Sequence, residues 1–256
     1  NRIVPAFMDR RLENRIAVVT GASRGIGRAV AVALAREGAH IIAIARTVGV
    51  LEELDDEIQA AGSNATLVPF DLSDLGAIDR LGAAINERWG KLDILVGNAG
   101  IAGALTPVGH IRAKDWDEII AVNLTANWRF IRSLDPLLRK SDAARAVFVT
   151  SGLAHLGMPY HAAYAASKAG LELLVRTYAA EVEQFPIKVN LFGPGRVFTR
   201  MQQMLFRGQD LSDLPRPDDI APAIVETVLP SQTHNGLIYS YPQESWLAPQ
   251  PPEPVG

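Results

Sequence analysis

The chain has 256 residues, 48% of them apolar and 21% charged, with a formal net charge of -3. This composition fits a packed globular protein and excludes a disordered one, and the slight acidity without a Lys/Arg cluster argues against nucleic acid or an anionic membrane as partner. The lack of cysteine excludes disulfides, thiolate catalysis and cysteine-held metals, and fits a reducing cytoplasm; no apolar run approaches the roughly 20 residues of a membrane helix.

Residues 1–12 read as an N-terminal arm, either disordered or packed on a neighbouring subunit. The first strand candidate, RIAVVT from Arg15, runs into Thr20-Gly21-Ala22-Ser23-Arg24-Gly25-Ile26-Gly27 and then a helical pattern over Arg28–Glu37. Glycines at a strand-to-helix turn permit positive φ and close approach of an anion, and a helix N-terminus supplies amides and a favourable dipole. The segment from Gly21 to Gly27, including Ser23 and Ile26, is therefore either a phosphate loop or a tight packing turn.

The second strand candidate, HIIAIA from His40, is followed by Arg46-Thr47 with no acid until Glu52. A carboxylate there would hold adenine ribose hydroxyls, whereas Arg46 with Arg24 suits a 2'-phosphate, which points to NADP(H) ahead of NAD(H). A helix is expected over Leu51–Ala61 and a third strand in ATLVPF from Ala65. Asp71, with Leu72 beside it, either accepts from an adenine amino group or, like Ser73, caps the next helix.

The fourth strand candidate, LDILVG from Leu92, leads into Asn98-Ala99-Gly100, either small residues against bound adenosine or a loop turn. A long helix near Trp116 to Leu138 carries Asn123, and the strand AVFVT from Ala146 ends before Ser151. Over Tyr160–Gln184 a helix places Tyr164 and Lys168 about 40° apart on one face. An ammonium about 4 Å from the phenol, at an effective dielectric near 20, would lower its pKa by about three units before desolvation takes some back, so that it titrates close to neutrality. Such a phenol can exchange a proton with a carbonyl or alcohol; the alternative is a packed tyrosine beside a snorkelling lysine.

Strands follow in IKVNLF from Ile187, which precedes Pro194, Gly195, Val197 and Thr199, and in GLIYSY from Gly236. Residues 241–256 form a proline-rich C-terminal tail. Strand and helix alternate, so the expected fold is α/β: one doubly wound parallel sheet with helices on both faces and ligands beyond the carboxyl ends of its strands. The whole of 1–256 is taken as one dinucleotide-binding catalytic domain.

TGASRGIG at 20–27, NAG at 98–100, Asn123, Ser151, Tyr164-x-x-x-Lys168 and Pro194-Gly195 with Thr199 occur in the order and spacing of the short-chain dehydrogenase/reductase family, which the chain resembles from about residue 13 to 240. The resemblance implies a Rossmann sheet of seven strands and NAD(P), with Asn123, Ser151, Tyr164 and Lys168 as catalytic tetrad. Ser151 would hold the substrate oxygen and Tyr164 transfer the proton. Lys168 would lower the tyrosine pKa and bond the nicotinamide ribose, and Asn123 would anchor a water linking Lys168 to solvent. Tyr164 and Lys168 also count among the cofactor contacts, and Val197 and Thr199 would meet the carboxamide.

Two positions depart from the family pattern: Gly97 replaces a second Asn, and Gly193 the Asn of Asn-Pro-Gly. The resemblance further implies a homodimer or homotetramer and a substrate bordered by GLAHLGMPYHAA at 152–163 and by Arg200–Phe206. The apolar side chains there suit a medium-sized, partly hydrophobic carbonyl compound; the alternative is that they cover the core or a subunit contact. His155 and His161 either contact a polar substrate group or are ordinary surface residues, and no metal site is expected. The competing readings are an NADP-binding sensor or scaffold without turnover and, among enzymes, a reductase of 3-ketoacyl thioesters.

Overall fold

The computed structural model describes residues 10–250. Five strands alternate with helices from the start: β1 (Ile16–Thr20), α1 (Gly25–Arg36), β2 (His40–Ala45), α2 (Val48–Ala60), β3 (Ala65–Pro69), α3 (Leu75–Trp89), β4 (Ile94–Gly97), α4 (Ala113–Ile120), α5 (Ala126–Leu138) and β5 (Ala144–Val149). Then come α6 (Ala162–Glu181), β6 (Ile187–Gly193), α7 (Arg200–Leu205), α8 (Pro217–Val228), β7 (Ile238–Ser240) and β8 (Ser245–Leu247). The sheet order is β3-β2-β1-β4-β5-β6-β7-β8, parallel up to β7.

The expected seven strands become eight. β8 runs antiparallel to β7, pairing Tyr239 with Trp246, and aromatic contacts hold it there: Trp246 meets Tyr239 edge-on at 5.3 Å and stacks on His234 at 4.5 Å.

Alternation along β1 divides the core. Ala17 and Val19 join the layer under α1, α2 and α8, while Ile16 and Val18 join the layer under α3, α5 and α6. Both faces of the central strands are covered, which is why their sequences are apolar throughout. Order 3-2-1-4 reverses direction between β1 and β4, and the crevice beyond their carboxyl ends receives the glycine turn, Asn98–Gly100 and Ser151.

The proposed arm and tail lie partly outside the described residues, at 1–9 and 251–256. Of the remainder, Leu12 is fully buried and Arg11 pairs with Glu37 and Glu226 at 2.6 Å each. Tyr241 N donates to Gly193 O at 2.9 Å. Among the described residues no helix is long and apolar enough to cross a membrane.

Candidate active site

At the end of β1 the chain turns through Gly21 (φ 66°) and Gly25 (φ 55°) into α1. Arg24, the residue before α1, is extended and places no side chain on the first-turn amides, so those donors face the crevice. A Cβ at Gly27 would fall 2.3 Å from Gly21 O and 2.4 Å from Asn98 Nδ2, so the turn closes only around glycine. Thr20 Oγ1 accepts from the amides of Asn98 and Ala99, both at 3.0 Å, and Asn98 Nδ2 donates to Thr20 O at 3.0 Å. The β4 loop thus braces the β1 loop, and the bare, amide-rich cradle fits the pyrophosphate of a dinucleotide.

Arg24 and Arg46 are both exposed. Arg46 lies 3.7 Å from Asp71, while Asp71 Oδ1 accepts from Ser73 N at 2.9 Å and Ser73 Oγ at 2.8 Å. These bonds with Ser73, more than Arg46, hold the Asp71 carboxyl below its ordinary pKa. Neither Asp71 nor Ser73 caps α3; Asp74 does, accepting from Ala77 N at 3.1 Å. Leu72 is buried in the α3-side core.

Past β6, Gly195 (φ 69°) lies against Pro242, whose ring a Cβ would meet at 2.5 Å. The loop lacking the family Asn at 193 is thus fixed from the C-terminal side. Gly97 has a similar explanation: a Cβ there would meet the Phe148 ring at 2.3 Å, so Phe148 fills the space a larger residue would need. Val197 is buried against the α1 and α8 layer. The Thr199 methyl is 3.6 Å from a notional Gly25 Cβ, bringing the β6 loop over the glycine turn, and Thr199 Oγ1 caps α7.

Tyr164, Lys168 and Ser151 come together where β5 meets α6. Ser151 is extended, with Oγ accepting from Leu153 N at 3.3 Å. Lys168 is 3% exposed and donates to Val149 O at 2.8 Å, its Nζ 5.8 Å from the Tyr164 ring centroid. Burial pushes the Lys168 pKa down to about 8, against the attraction of Glu172. Burial also pushes the Tyr164 phenol above its ordinary value, and a hydrogen bond from the Ser151 hydroxyl works the other way. The expectation of a phenol titrating near neutrality is corrected: the Lys168 ammonium is directed to the Val149 carbonyl, and burial outweighs the Ser151 hydrogen bond.

Asn123 is fully buried in a π turn, Ala121–Thr125, between α4 and α5; such turns recur at functional sites. Its Oδ1 accepts from Ile101 N at 2.8 Å, and its Nδ2 donates to Ile101 O at 2.8 Å and Ser167 Oγ at 2.9 Å. The side chain clamps the loop after Gly100 to α6. Asn127, not singled out from sequence, donates to Asn123 O at 2.8 Å.

Sequence reasoning also missed Glu172, one turn beyond Lys168 and 4% exposed. It accepts from Thr150 Oγ1 at 2.6 Å and meets His155 Nε2 at 2.9 Å. The i, i+4, i+8 spacing of Tyr164, Lys168 and Glu172 was the available signal.

A small cavity beside Tyr164 is lined by Ala104, Thr106, Ile111, Tyr160 and His161 among others. The residues from Arg200 to Phe206 do not line it; Phe206 borders a second hollow with Phe198. Among the described residues no group of three metal-ligating side chains is found.

A family model described as short chain dehydrogenase matches residues 15–210. The chain is 32% identical over 234 residues to the 2,3-dihydro-2,3-dihydroxybenzoate dehydrogenase of Bacillus subtilis, covering 84% of this chain and 88% of that one. It is 33% identical over 231 residues to a 3-oxoacyl-acyl-carrier-protein reductase of Vibrio harveyi, covering 87% and 93%. A solved structure described as a short chain dehydrogenase of Shigella flexneri complexed with NADP matches with a TM-score of 0.86 at 31% identity, over 91% of this chain and 98% of that one.

Proposed function

The chain belongs to the short-chain dehydrogenase family, and on that premise we propose that it is an NADPH-preferring oxidoreductase of small carbonyl compounds or their alcohols, with Tyr164 as the acid/base. The observation that carries this reading is the juxtaposition of Tyr164 with the buried Lys168, whose ammonium lies 5.8 Å from the tyrosine ring centroid and donates to Val149 O at 2.8 Å. When bound, the nicotinamide cofactor supplies or accepts the hydride. Ser151 and Tyr164 orient the carbonyl oxygen by donating to it, and Tyr164 passes its proton to that oxygen as charge develops there.

The raised phenol keeps that proton until a partner needs it. Lys168 then stabilises the phenolate, and Glu172 favours the charged form of Lys168. Gly100, whose notional Cβ lies 3.3 Å from Asn123 Oδ1 and 3.5 Å from Lys168 Nζ, leaves room above both. Preference for NADPH is supported by Arg46 and Arg24 at the ends of the two relevant loops and by the NADP complex of the Shigella protein. Reduction of 3-ketoacyl thioesters is the second reading, supported by similarity to the Vibrio reductase. Assembly into a homodimer or homotetramer is supported by exposed Trp116, Trp128 and Leu173 on α4, α5 and α6.

The test is oxidation of NADPH, with NADH in parallel, across ketones, aldehydes, quinones and keto-acyl thioesters. Turnover is expected with NADPH, and Arg46→Ala should narrow its advantage over NADH. NADPH binding without turnover of any carbonyl would favour a sensor.

A further inference from the structure

His161 is 8% exposed and lies directly before α6, where its side chain caps nothing. Its Nδ1 is 2.8 Å from Pro159 O. A carbonyl has no proton to give, so Nδ1 carries the hydrogen and, in the neutral ring, Nε2 is left as an acceptor. That Nε2 is buried and has no partner among the described residues. Leaving such an atom unpaired is costly, and His161 is among the residues that line the cavity Tyr164 shares.

Most of the other lining residues are alanine or isoleucine, and the carboxylate among them, Asp115, is already matched by Arg112 through two bonds of 2.7 and 2.8 Å. A neutral donor is therefore welcomed, and an anion is not. Tyr160, next in the chain to His161, holds a left-handed backbone (φ 70°) and an exposed ring at the rim, a conformation that tends to mark functional sites when a non-glycine residue adopts it.

We infer that His161 Nε2 is a specificity group that accepts a hydrogen bond from a neutral hydroxyl on the substrate, remote from the carbonyl that Tyr164 protonates. The substrate class is thus hydroxylated ketones or aldehydes, or the corresponding diols. This inference rests on the reading of Tyr164 above.

The test is calorimetric titration of the NADP-loaded protein with meta- and para-hydroxyacetophenone and their methyl counterparts, hydroxyl and methyl being nearly equal in size. The hydroxylated member of at least one pair should bind roughly tenfold or more tighter. In His161→Asn, whose amide can keep the bond to Pro159 O but lacks the outer nitrogen, the two should agree within about twofold. His161→Gln, which can place an oxygen near the lost Nε2, should recover part of the preference. Equal or absent affinity in every pair, or a preference untouched in His161→Asn, overturns the inference; so does preferential binding of para-acetylbenzoate, which would make Nε2 a charged donor. Tyr164→Phe separates the two claims, since it should lose turnover and keep the hydroxyl preference in binding.

Discussion

Replacing Lys168 with methionine should make stability less dependent on alkaline pH while removing activity. In the folded chain burial lowers the Lys168 pKa from its ordinary 10.5 to about 8. Between these values the unfolded chain binds more protons than the folded one, so stability rises with pH through that window. From pH 7 to pH 9.5 this single site adds about 2 kcal/mol. At pH 7 methionine removes a desolvation cost of about 3 kcal/mol but leaves Val149 O without its donor, which returns about 1–3 kcal/mol, so the variant should be level or up to about 2 kcal/mol more stable. Urea unfolding of both proteins at the two pH values isolates the effect, because groups common to both cancel in the difference. Parallel stability-versus-pH profiles would refute the reasoning.

Gly27→Ala forces backbone apart at the 2.3 Å contact with Gly21 O and should weaken NADPH binding by about a hundredfold or more, read by fluorescence titration; unchanged affinity would disprove the cradle. Thr20→Val leaves the Ala99 amide unpaired and the Asn98 amide with only its bond to Val96 O, beside a residue 1% exposed, for a loss of about 1–3 kcal/mol and a fall in Tm of about 2–12 °C by calorimetry. Glu172→Gln removes the attraction that holds the Lys168 pKa up, so the alkaline limb of kcat/KM should move to lower pH, and a stationary limb would remove Glu172 from the mechanism.

The strands of the parallel sheet and the glycine turn were legible because each is written locally, in apolar runs and in residues that permit positive φ. The approach of Ser151 to Tyr164 was legible only through family resemblance. Contacts between distant segments were not legible. Nothing near Gly97 announces that Phe148 fills its space, and nothing near Gly195 announces Pro242. β8 escaped notice because its three residues depend on Tyr239 and His234 for packing. The phenol expectation failed for a related reason: helical spacing places two Cβ atoms, while the reach of Lys168 to Val149 O and the burial around both groups belong to tertiary structure. Glu172 was one further turn along the same face, but its partners Thr150 and His155 lie in another segment.

On the proposed function, Tyr164 moves the proton while the glycine turn holds the cofactor's pyrophosphate. Single-turnover reduction of a carbonyl, with enzyme in excess and NADPH bound, measures this in wild type and Tyr164→Phe. A loss of at least about a hundredfold in rate is expected, with NADPH still bound. Equal rates in the two proteins would contradict it.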